Sequence, residues 1–132
     1  MWGDALGPRQ EWNASAAVDD PGITLRKLAI HDDAYIGSVL ARGLRDTVPS
    51  GLDEKTQAMV RVSALAAVGA APTAYMCAIE SALEAGANEQ EIVGVLTALL
   101  PTLGPDRVAA AAPGLGLALG YDVDEALERR SE

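Results

Sequence analysis

The chain has 132 residues, enough for one domain with one core, and carries a formal net charge of −9. That balance excludes a nucleic-acid binder, which needs a basic face, and disfavours an anionic membrane surface; Arg26-Lys27 and Arg129-Arg130 are the nearest approach to a basic cluster. One cysteine, Cys77, and one histidine, His31, rule out an intrachain disulfide, a cysteine zinc site and a histidine-rich metal centre within one chain. No cofactor or metal is expected. The apolar fraction of 49% is mostly Ala, Leu and Val with no Phe, which points to thin helices that pack closely.

The N-terminus has no basic stretch followed by an apolar run, so no signal peptide is expected, and the apolar run at 93–100 is too short for a membrane span. The expected location is the cytoplasm. Residues 1–22 hold Gly, Pro, Asn, Asp, Trp2 and Trp12 without helical periodicity, and they read as an extended N-terminal arm. The helical domain is expected over 23–132. Its first helix is predicted over 24–44, with Leu25, Leu28, Ala29, Ile36, Val39 and Leu40 on one stripe. Pro49-Ser50-Gly51 breaks the chain.

A second helix starts at Asp53, a good N-cap, and runs to about Val68, with Met59, Val62, Leu65 and Ala66 inward and Gly69 at its end. A third opens on Pro72, turns Tyr75, Ile79, Ala82 and Leu83 inward, and closes on a left-handed Gly86. A fourth opens on Asn88 with Glu91 three residues on, a capping-box pattern. Its body is apolar nearly all round, which fits a central or interface helix, and Pro101 should bend or end it. A fifth begins at Pro105, where Pro113 should kink or split the run. A short last helix is expected after Asp122. No strand or solenoid pattern appears, so the fold class is all-α, a compact bundle of about six helices.

The segment Ser81-Ala82-Leu83-Glu84-Ala85-Gly86, followed by Glu91-Ile92-Val93-Gly94-Val95-Leu96, resembles the carboxymuconolactone decarboxylase-like family, which includes the alkylhydroperoxidase-D-like proteins. The tail Leu117-Ala118-Leu119-Gly120-Tyr121-Asp122-Val123-Asp124 adds weight, and the resemblance covers about 24–127. It implies a central antiparallel helix pair and a homo-oligomer, a trimer or hexamer. Peroxidase members carry a Cys-x-x-Cys pair, one thiolate attacking and the other resolving, with a His four residues after the second Cys and an upstream Glu. Counting back from Gly86 puts the pair at Ala71 and Ala74, the His at Ala78 and the Glu near Met59, all apolar here. Taking Cys77 as the second cysteine instead puts Ala74 first and Ser81 in the His place, and the glycine turn then falls out of register. Either way the resemblance comes without the thiol machinery.

Candidate site residues follow from chemistry. Arg61 interrupts an apolar stretch, and a buried Arg needs a partner or an anion; Glu80 on the next helix is one candidate partner. Tyr75, Glu80 and Thr97 are candidate polar groups of a pocket between the second, third and fourth helices, and Arg61, Tyr75, Cys77 and Thr97 are the candidate substrate contacts. His31, followed by Asp32 and Asp33, and Glu80 are the candidate proton-moving, catalytic groups. Each also fits plain packing or surface roles, Cys77 as a small core residue above all. Gly114-Leu115-Gly116-Leu117 follows no strand and lacks a Lys-Ser/Thr tail, which excludes a phosphate loop. Three readings remain: an enzyme or binder for a small organic acid or lactone, with cofactor-free lyase or isomerase chemistry if catalytic; a non-catalytic oligomeric scaffold; and a partner-binding module using the Trp-containing arm.

Overall fold

The computed structural model describes residues 20–43 and 47–121, and within these every regular element is helical. Six helices follow in order: α1 Pro21–Ala29, α2 Asp33–Leu40, α3 Glu54–Val68, α4 Pro72–Glu84, α5 Glu89–Leu103 and α6 Pro105–Ala118. They fall into two compact units that divide after Leu52. Residues 1–19 of the arm, with Trp2 and Trp12, and the expected last helix after Asp122 lie outside the described residues, and the arm's last two residues, Pro21 and Gly22, already belong to α1. No described helix is long and apolar enough to cross a membrane.

In the first unit, the single helix expected over 24–44 is two helices. The Asp20 carboxylate accepts from the Gly22 N–H (2.9 Å) to open α1. The chain then leaves helical geometry at His31, which sits in the left-handed region at φ 58. Asp32 restarts the helix as an N-cap, its Oδ1 accepting from the Tyr35 N–H (2.9 Å). The acidic pair after His31 thus caps a second helix instead of decorating one long one. No residue of α1 or α2 is buried, so the expected inward stripe does not form: Leu25 is 67% and Leu40 72% exposed. The Lys27 ammonium lies 5.3 Å from the Tyr35 ring centroid, a cation–π contact between the two helices.

The second unit holds the core. α3 packs against both α4 and α5, and α6 packs against the same two helices, so the four surround one apolar interior. Val62 from α3, Tyr75, Ile79 and Ala82 from α4, Ile92 and Leu96 from α5 and Leu115 from α6 fill it. Leu83, expected inward, is 45% exposed. The helix ends follow the residue chemistry of the sequence. Asp53 accepts from the Thr56 N–H (2.7 Å), and Asn88 and Glu91 close a reciprocal capping box, with Glu91 N–H to Asn88 Oδ1 at 2.8 Å and Asn88 N–H to Glu91 Oε1 at 3.0 Å. Gly86, at φ 100, turns the chain out of α4, and the Ala87 N–H reaches back to the Ala82 carbonyl at 2.9 Å.

Neither internal proline interrupts its helix. Pro101 lies inside α5, which continues to Leu103, and Pro113 lies inside α6, which runs unbroken to Ala118. Pro101 is two residues from the end of α5, where a disturbed turn costs little. Contacts with α4 and α5 hold α6 helical through Pro113. The Arg107 guanidinium donates to the Ala67 carbonyl (2.9 Å), which satisfies a carbonyl in the last turn of α3 from the start of α6.

Candidate binding groove between α5 and α6

Two pairs of small residues face each other along the outer seam of α5 and α6. Gly94 and Ala98 stand four apart on α5, and Ala112 and Gly116 stand four apart on α6, so each pair lies on one helix face. Their missing side-chain volume leaves an open groove of about 1130 Å³. Leu96 and Leu115, both buried, form its floor. Val93 and Thr97 line the α5 side, and Glu89, Gln90 and Tyr121 stand at one end.

That end is built by backbone geometry. α6 finishes in a Schellman turn: Gly120 adopts φ 92, its N–H bonds the Leu117 carbonyl (3.0 Å), and the Tyr121 N–H bonds the Gly116 carbonyl (2.8 Å). The turn carries Tyr121 to the first residue of α5, where its hydroxyl donates to Glu89 Oε1 at 2.8 Å. This bond and the Glu89 charge push the Tyr121 phenol above its ordinary pKa. The phenol therefore stays protonated across the physiological range, and the clasp between the end of α6 and the start of α5 is present throughout it.

The residues singled out from the sequence are placed more widely. His31 occupies the turn between α1 and α2, 78% exposed, with Nδ1 3.1 Å from Asp33 Oδ1. That contact two residues on is possible because the chain there is not helical. Arg61 is half-buried on α3, and Cys77 is half-buried and Glu80 exposed on α4. Tyr75 is 1% exposed, among the α4 residues that fill the core, and burial pushes its phenol above the ordinary value. Its hydroxyl is buried and meets no hydrogen-bonding partner among the described residues. Thr97 alone of these six lines the groove. The small-residue pairs, Glu89 and Tyr121 were the part that sequence reasoning missed. The signal was present in the four-residue spacing of Gly94 with Ala98 and Ala112 with Gly116.

A family model for the carboxymuconolactone decarboxylase family matches residues 38–115, which include α3, α4, α5 and most of α6. The chain belongs to the carboxymuconolactone decarboxylase family. No curated protein and no solved structure matches it. Family membership agrees with the all-helical architecture, and the groove lies largely within the matched span, Gly116 and Tyr121 falling just beyond it. The positions that the resemblance gives to the dithiol and histidine of the peroxidase members are Ala71, the exposed N-cap of α4, half-buried Ala74 and buried Ala78.

Proposed function

We propose that this carboxymuconolactone decarboxylase family member binds an apolar small molecule in the α5–α6 groove and carries no thiol peroxidase or disulfide chemistry. The observation that carries the reading is the groove itself: a recess of about 1130 Å³ with an apolar floor and a few convergent polar groups at one end. Its size suits a drug-sized molecule. Thiol turnover needs an attacking and a resolving thiol, and the chain has one cysteine, so a resolving partner would have to come from elsewhere. A lactone or another neutral product of small-molecule metabolism fits the groove better than an acid anchored on Arg61, which does not line it.

The scaffold reading has its own support. Val60, Ala64 and Val68 form an exposed stripe on α3, and Met76 and Leu83 stand exposed seven apart on α4. Such faces suit self-association, the trimer or hexamer that the resemblance implies. The two readings separate in one titration. Nile red, a neutral apolar dye, is added to the full chain and to a Gly94→Trp variant, whose indole fills the groove. Saturable binding at one dye per chain, lost in the variant, is the expected result. Dye binding that is absent, or unchanged by Gly94→Trp, overturns the groove reading and leaves the scaffold.

A further inference from the structure

The groove has a charge preference, and this inference rests on the groove being the binding site. Among the described residues, those that line it include no Lys or Arg. The single charged side chain among these described lining residues is Glu89, at the first position of α5. Tyr121 already spends its proton on Glu89 Oε1, so toward a ligand the phenol oxygen can only accept. Glu89 Oε2 is a second acceptor at the same end. That end of the groove is therefore negative in charge, with the Glu89 carboxylate and the Tyr121 oxygen as acceptors beside the neutral Gln90 amide, in a chain whose net charge is −9. An incoming carboxylate meets repulsion and finds no cation to pair with, whereas an ammonium meets a carboxylate and a phenol oxygen together.

The geometry points to an apolar amine as the ligand class: a hydrocarbon body over Leu96 and Leu115, between the small residues of α5 and α6, with its ammonium on Glu89 and Tyr121. Val93 and Thr97 flank the body. This departs from the organic acid expected from Arg61.

The test keeps the tail constant and changes the head. Octylamine, octan-1-ol and octanoate each displace Nile red from the full chain at neutral pH. The amine is expected to displace at a concentration on the order of tenfold below octanoate, with the alcohol between them, since an exposed pair and an exposed repulsion each contribute modestly. Glu89→Gln should collapse that spread to about threefold or less. Added salt should shrink the spread in the wild-type chain as well. Octanoate displacing as well as the amine, or a spread that survives Glu89→Gln, overturns the inference while the groove stands. A chain that binds no Nile red, including one that dimerises over the groove and excludes the dye, removes both.

Discussion

Tyr75 and Gly114 show how closely the interior is fitted. A Cβ built on Gly114 would lie 3.3 Å from Tyr75 Cε2, 3.4 Å from Cδ2 and 3.7 Å from the Pro72 Cα. The ring would have to give by a few tenths of an ångström, and Tyr75 is fully buried among α4 and its neighbours. Glycine at 114 is thus set by the space the ring takes. Gly94 is the contrast: a Cβ there meets no atom within 4 Å. Gly114→Ala should gain about 1 kcal/mol of helix propensity and lose about 1–3 kcal/mol to overpacking. The expected net is a loss of about 1 kcal/mol in urea unfolding. Gly94→Ala, with no clash, should be neutral or stabilising by up to about 1 kcal/mol. A Gly114→Ala chain as stable as Gly94→Ala would mean that the ring moves aside. Composition could not reveal this, since Ala and Gly look alike in an apolar run until the neighbour across the interface is known.

At the scale of the element, helix starts were legible and helix breaks less so. Asp53, Pro72, Asn88 and Pro105 open their helices where capping chemistry puts them, because a cap is a contact between neighbours in sequence. The break at His31 was hidden because Asp32 reads equally well as a polar-face residue and as a cap. Pro101 and Pro113 looked like breaks and are not, because tertiary packing overrides local preference. The caps also give the fold an acid dependence. Hydrogen bonds from Thr56 hold the Asp53 carboxyl below its ordinary pKa, and the Lys55 ammonium (2.7 Å) with the Asn88 N–H does the same for Glu91. Their folded values are depressed, so their contribution is present above the unfolded values. It is lost as pH falls from the unfolded values through the lower folded ones. Asp53→Asn combined with Glu91→Gln should therefore lower the urea midpoint at pH 6 and flatten its fall between about pH 5 and pH 3. A fall as steep as in the wild-type chain would place the acid sensitivity in other carboxylates.

For the whole molecule, fold class and family were readable from residue pattern, and the site was not. Helical spacing, glycine ends and the segment around Gly86 suffice for an all-α member of the family. A binding site depends on which helices become neighbours across the bundle, and no local pattern states that. Tyr75, expected both to turn inward and to reach a pocket, does turn inward and fills the core; Thr97 was expected among α3, α4 and α5 and lies on the seam of α5 with α6. The sequence drew attention to rare chemical groups such as His31, Cys77 and Arg61. The groove is made by residues that are common here and notable only for how little space they take. The central claim, that α5 and α6 hold the ligand, is tested most directly by amide chemical-shift mapping as octan-1-ol is titrated into isotope-labelled full-length protein. Saturable shifts concentrated at Val93, Gly94, Thr97, Ala112, Gly116 and Tyr121 are the expected result. Shifts centred on Arg61, Cys77 and Glu80 instead, with α5 and α6 silent, would contradict it and return the site to α3 and α4.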